Sequence, residues 1–170
     1  MTQPQTRVVE ASTLRQAPLH IVLVEPQIPP NTGNVARLCA ATGCALHLVE
    51  PLGFSIADRE LKRAGLDYWD KLEVVLHGSL SAALAHFEGR AWFLSKRAAR
   101  RHDEGDYQLG EALFFGKETA GLPAELLLRF EQRTLRIPMR SDSVRSLNLS
   151  TAVGIAAYEA LGALGFPGLA

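Results

Sequence analysis

The 170-residue chain contains only two cysteines, Cys39 and Cys44, and nowhere an uninterrupted apolar run of the roughly 18 residues that a membrane span needs. Two cysteines exclude a disulfide scaffold. The five histidines are scattered along the chain and do not complete a tetrahedral ligand set with the two cysteines, so no metal site is expected. The first 17 residues carry no apolar stretch of signal-peptide type, which points to a soluble, cytoplasmic protein without a membrane partner. Charge of one sign is lacking as well: 18 Lys and Arg balance 18 Asp and Glu. That removes the simplest signature of a nucleic-acid binder and leaves only local clusters to carry such a function.

What is present is a core. Hydrophobic residues make up 47% of the chain, and a domain of this length buries about 70% of the surface its unfolded form exposes. Residues 18–170 are expected to form a single domain behind a poorly ordered extension, 1–17. Leu19–Val24, Ala45–Val49, Leu72–Leu76, Ala91–Ser95, Ala112–Phe115 and Thr134–Ile137 read as six strands, the first nearly continuous in β-branched and aliphatic residues as in a sheet covered on both faces. Between them, helices are expected from a cap at Asn31 or Thr32 to a stop at Gly43, over Ile56–Ala64, over Leu80–Phe87 and over Pro123–Phe130. Asn148 to Leu164 is apolar almost all round, as expected of a buried helix that partly lies in a subunit interface. The alternation predicts an α/β fold with a mostly parallel sheet.

In such sheets, ligands sit beyond the carboxyl ends of the strands. Three loops there combine glycine or proline with polar side chains: IPPNTGNVARLC, FGKETAGLP and IPMRSDSVRSLNLS. Familiar nucleotide motifs do not explain them. Gly110 to Gly116-Lys117 has five intervening residues where a phosphate loop has four, and Glu118 replaces its Ser or Thr. No Gly-x-Gly-x-x-Gly follows the first strand and no Gly-x-Ser-x-Gly elbow occurs, so dinucleotide and serine-hydrolase chemistry are disfavoured.

Taken together, Asn31-Thr32-Gly33-Asn34-x-x-Arg37, Phe115-Gly116-Lys117-Glu118-Thr119-x-Gly121-Leu122-Pro123, and Ile137-Pro138-Met139 with Ser146-Leu147-Asn148-Leu149-Ser150 resemble the three motifs of the SPOUT methyltransferases. The similarity is greatest to the small YibK-like tRNA wobble-position 2′-O-methyltransferases, and it includes Gly53-Phe54 and Arg63-Ala64-Gly65-Leu66-Asp67-Tyr68. The resemblance implies a C-terminal trefoil knot, a homodimer, S-adenosylmethionine as cofactor with S-adenosylhomocysteine as product, no metal, and a tRNA anticodon stem-loop as substrate. It implies methyl transfer to the ribose 2′-oxygen of a wobble cytidine or uridine. Alternatives are another tRNA or rRNA position, or a non-catalytic RNA-binding relative.

The same resemblance places cofactor contacts at Leu94, Gly116, Ile137 and Ser146, and catalytic groups at Arg37, Asn34, Glu118 and Asn148, with Ser150 a further candidate. Arg37 is the general base by resemblance, or a fixed cation that binds phosphate and stabilises a developing alkoxide, since a free guanidinium with a pKa above ~12 is a poor base. Its alternative is a surface salt bridge. Asn31, Asn34 and Asn148 also suit plain caps and turns. Lys117 stands where many family members carry a small residue or proline, and no catalytic role is carried onto it. RNA contacts are expected from Arg37, Lys96, Arg97, Arg140, Arg145 and Tyr158, helped by Arg100, Arg101 and Arg136. Against this, Asp103, Glu104 and Asp106 could simply balance a solvated loop, and Tyr158, Tyr68 and Trp69 could be core instead of stacking platforms.

Overall fold

The computed structural model describes residues 7–10, 16–56, 72–140, 142 and 144–170. Eight strands form one sheet: Arg7–Val8 (β1), Leu19–Val24 (β2), Ala45–Val49 (β3), Glu73–His77 (β4), Ala91–Leu94 (β5), Arg100–Arg101 (β6), Glu111–Phe115 (β7) and Thr134–Arg136 (β8). Their order is β1-β4-β3-β2-β7-β5-β8-β6, and every pairing is parallel. The six expected strands are all present, displaced by at most one residue at an end. The two additional strands are two-residue edges, too short to show any periodicity in sequence. One of them, β1, lies in the extension expected to be poorly ordered and pairs with β4.

Among the described residues, four α-helices flank the sheet: Pro29–Thr42 (α1), Leu80–Phe87 (α2), Ala124–Arg129 (α3) and Leu149–Ala163 (α4). One face of the sheet carries Ile21, Leu23, Leu46, Leu48, Leu113 and Phe115 against Val35 and Cys39 of α1 and Val153, Ala157 and Leu161 of α4. The other carries Val22, Val24, Phe93 and Phe114 against Phe87 of α2 and Leu122 and Leu126 at α3. With both faces covered, β2, β3 and β7 are buried at every position, which is why aliphatic and aromatic residues dominate them, with His20, His47 and Glu111 as the polar exceptions. The helix expected over Ile56–Ala64 lies, from residue 57 on, outside the described residues, as do Arg63 to Trp69.

One helix reading is corrected. Helix α1 begins at Pro29, ahead of the expected caps, with Ile28 as N-cap and Pro29 and Pro30 in its first turn. Proline has no N–H to leave unsatisfied there and its φ suits the first turn, so Asn31 and Thr32 lie inside the helix and are buried. Helix α4 runs as expected and buries Leu149, Val153, Ala156, Ala157, Ala160 and Leu161, while Ile155 and Tyr158 on its outer side are 37% and 46% exposed. Gly43 ends α1 in the left-handed conformation, as expected (φ 72°).

Because β8 lies between β5 and β6, which are consecutive in the chain, a late segment occupies a gap between two earlier ones. All strands being parallel, the loops after β2, β5, β7 and β8 open at one end of the sheet.

Candidate active site

At that end is a cavity of about 590 Å³, a size in the range of small-molecule sites. The loop after β5 contributes Leu94 to Arg97, the loop after β7 contributes Gly116 to Gly121, and the segment after β8 contributes Ile137, Met139 and Arg145 to Asn148. All four expected cofactor contacts, Leu94, Gly116, Ile137 and Ser146, therefore line one space. Backbone forms much of this wall for a steric reason. A Cβ on Gly116 would lie 2.0 Å from the Gly121 carbonyl carbon and 2.1 Å from the Leu122 nitrogen. The chain folds back so tightly that Gly121 N donates to Lys117 O at 2.8 Å, with Gly121 at φ 71°.

Glu118 connects the second motif to the first. Its carboxylate accepts from the backbone N–H groups of Gln27 (2.8 Å) and Ile28 (3.1 Å) and from Asn31 Nδ2 (3.2 Å). Ile28 is the N-cap of α1 and offers no capping side chain, so an acidic group from another loop completes the helix start, where negative charge is favoured. Asn31 Oδ1 in turn accepts from Asn148 Nδ2 at 2.8 Å. Asn148 then caps α4, its Oδ1 accepting from Ser150 N (2.9 Å), Thr151 N (3.3 Å) and Ser150 Oγ (2.7 Å). A single chain of hydrogen bonds, Glu118–Asn31–Asn148, ties the three motifs together.

The family described as SpoU rRNA Methylase matches residues 18–158, which include all three motifs and every strand from β2 to β8. The chain belongs to this SpoU family. It is similar to the tRNA (cytidine(34)-2'-O)-methyltransferase of Escherichia coli (strain K12), 50% identical over 153 residues, covering 88% of this chain and 96% of that one. It is equally similar to the enzyme of the same name from Saccharophagus degradans (strain 2-40), 49% identical over 88% of this chain and 97% of that one. Among solved structures, one described as structural insights into the 2-OH methylation of C/U34 on tRNA is 49% identical, with a TM-score of 0.80 over 86% of this chain and 96% of that one.

Within this SpoU domain the remaining expected residues divide. Asn148 and Glu118 line the cavity; Asn34 and Arg37 do not. Both are exposed on α1, beyond the buried Asn31. Of the expected RNA contacts, Lys96, Arg97 and Arg145 line the cavity mouth, where Lys96 Nζ donates to Arg145 O at 2.9 Å. Arg140 is bound to Asp142 outside it, Arg101 pairs with Asp103, and Arg100 donates to the backbone of Gln132 and Glu104 beside the Trp92 ring. The cationic run therefore splits: one part faces the pocket and the other is neutralised or spent on packing. Tyr158 is exposed on α4 with its ring near Phe166 (centroids 6.3 Å apart).

The SpoU fold also assembles a group that the sequence conceals. His20 Nδ1 lies 2.9 Å from His47 Nε2, and His47 Nδ1 lies 2.9 Å from His77 Nε2, forming a buried row across β2, β3 and β4 with His86 of α2 alongside. Only the strand register brings them together, and nothing in their spacing signals it. Among the described residues no group of His, Cys, Asp or Glu is arranged to hold a metal ion.

Proposed function

We propose that this chain is a tRNA 2′-O-methyltransferase that transfers a methyl group from S-adenosylmethionine to the ribose of the wobble cytidine or uridine. The observation that carries the reading is the convergence of Leu94, Gly116, Ile137 and Ser146 on one cavity in a chain about half identical, over most of its length, to wobble cytidine methyltransferases.

The pocket fits the cofactor. Its walls combine apolar side chains (Leu94, Leu122, Ile137, Leu149) with close backbone at Gly116, suited to an adenine ring and to backbone hydrogen bonds. S-adenosylmethionine, when bound, supplies a methyl group already activated on a positively charged sulfur. The protein's remaining task is to orient a ribose hydroxyl and receive its proton, for which positioning supplies much of the rate. Lys96, Arg97 and Arg145 at the mouth hold RNA phosphate and draw the backbone toward the cavity. Glu118, with three N–H donors on its carboxylate, acts by fixing the loop instead of by moving a proton.

Arg37 completes the site from a second copy of the chain. It lies outside the cavity of its own subunit, and α4 presents the exposed apolar residues Ile155 and Tyr158 next to Phe166, a stripe suited to an α4-mediated homodimer. In the dimer Arg37 faces the reacting hydroxyl as a fixed cation, and the paired surfaces receive an anticodon stem-loop. The knotted threading follows from the same reading and is supported by the insertion of β8 between β5 and β6. The cytoplasm, where tRNA is processed, is its site of action; no described helix is long and apolar enough to cross a membrane.

The test is methylation of tRNA with labelled S-adenosylmethionine, followed by nucleoside analysis. A 2′-O-methylated pyrimidine at the wobble position is expected, and label confined to rRNA would overturn the reading. Mixing Arg37→Ala subunits with subunits disabled in the pocket by Gly116→Ala should restore part of the activity that each lacks alone. Absence of any complementation would return Arg37 to its own subunit's site.

A further inference from the structure

Lys117 and Glu25 form an ion pair that the proposed reaction does not use. Lys117 Nζ lies 2.6 Å from Glu25 Oε2, and the two side chains are 34% and 32% exposed. Two features separate this pair from an ordinary surface contact. Glu25 directly follows β2 in a left-handed backbone conformation (φ 50°), which is unfavourable for a non-glycine residue and persists only where its surroundings impose it. Lys117 lines the cavity and opens the tight turn that closes on Gly121, directly after Gly116.

The segment carrying Glu25 is a firm support. Glu25 N donates to Val49 O and Gly53 N donates to Pro26 O, both at 2.9 Å. A Cβ on Gly53 would stand 2.7 Å from Gln27 Cα, so the loop after β3 is pressed directly against this one. Residues 117, 118 and 119 each reach across to it: Lys117 to Glu25, Glu118 to the Gln27 and Ile28 amides, and Thr119 Oγ1 to Gln27 Oε1 at 2.7 Å. Of these three ties, Lys117 is the nearest to Gly116, where the backbone forms the pocket wall.

We propose that Lys117 is a positioning residue: its ion pair with Glu25 holds the 116–121 turn in the shape that binds the cofactor. The inference rests on the methyltransferase reading for the identity of the ligand. A partly exposed ion pair adds little to global stability, so its effect is local and is read in ligand affinity. The turn binds most tightly when its first residue is already fixed, because ordering it on binding would subtract from affinity.

The experiment measures S-adenosylhomocysteine binding by titration calorimetry on the full chain. Lys117→Met and Glu25→Gln are each expected to raise Kd about fivefold, and the double variant no further, since both remove one interaction. Lys117→Arg should restore affinity, the thermal midpoint should stay within about 2 °C of wild type, and the KM for tRNA should be unchanged. An unchanged Kd in Lys117→Met, full additivity in the double variant, or a loss confined to the KM for tRNA would overturn the proposal, the last by making Lys117 an RNA contact. Wild-type protein that binds S-adenosylhomocysteine but methylates no RNA would sink the methyltransferase reading while leaving the ion pair's effect measurable. Wild-type protein that binds none overturns both.

Discussion

The tightest constraint in the site falls on a residue with no side chain. The atoms that a Gly116 Cβ would meet at 2.0 and 2.1 Å are backbone, so no rotamer change can relieve the overlap and the turn itself must open. Gly116→Ala is expected to lower S-adenosylhomocysteine affinity by about 100-fold or more, read by calorimetry, while circular dichroism still shows a folded protein; near wild-type affinity would refute the turn's role. The Gly116 and Gly121 positions were legible in the sequence, because a glycine-containing loop after an apolar strand announces close backbone approach. The work of Glu118 was not. Its partners are about 90 residues away, and only the structure shows its carboxylate held by amides that a helix start leaves open. Glu118→Gln keeps size and geometry but presents a donor to donors. It should cost about 1–3 kcal/mol in urea unfolding and leave the pH–rate profile unshifted; a displaced acid limb would instead mark Glu118 as a proton-transfer group.

At the scale of elements, the strands were readable because burial on both faces writes itself as predominantly apolar runs, and the start of α1 was misread because polar capping residues outweighed two prolines. Asn148, for which the sequence left a plain cap as the alternative to a catalytic role, does cap α4, and it carries a separable prediction. Asn148 Oδ1 caps the helix, while Asn148 Nδ2 donates to Asn31. Asn148→Ala loses both, costing about 1 kcal/mol of stability, up to about 2, together with activity. Asn148→Asp keeps the cap but turns a carboxylate toward Asn31. Flipping the Asn31 amide would only move the acceptor clash to Glu118, since Asn31 stands between the two. Stability near wild type with turnover reduced at least tenfold is therefore expected for Asn148→Asp. Equal losses in urea midpoint and turnover would show that the cap alone matters.

Across the whole molecule, composition and alternation carried the α/β class, whereas the order of strands depends on which loops thread past which, and no local pattern encodes that. The histidine row belongs to this scale, because it exists only once β2, β3 and β4 are in register. Burial pushes His20 down to about 4, helped by the nearby charges of His86 and Arg90. His47, more deeply buried and flanked by His20, His77 and His86, is pushed down to about 2, and His77 is lowered in the same direction by burial and His86. In the unfolded chain all three titrate near 6.5. Below that pH the unfolded state binds protons that the folded state refuses, so stability is full above about pH 7 and falls as pH drops from 6.5 toward 4. Each such histidine contributes a slope approaching about 1.4 kcal/mol per pH unit, and His20 alone amounts to roughly 3 kcal/mol across that window. Urea unfolding at pH 8, 6.5, 5.8 and 5.2, above the range where carboxylates dominate, should show this decline, and His20→Leu should reduce the slope by close to one proton. An unchanged slope in His20→Leu, or a flat profile in the wild type, would mean that the row accepts protons without unfolding.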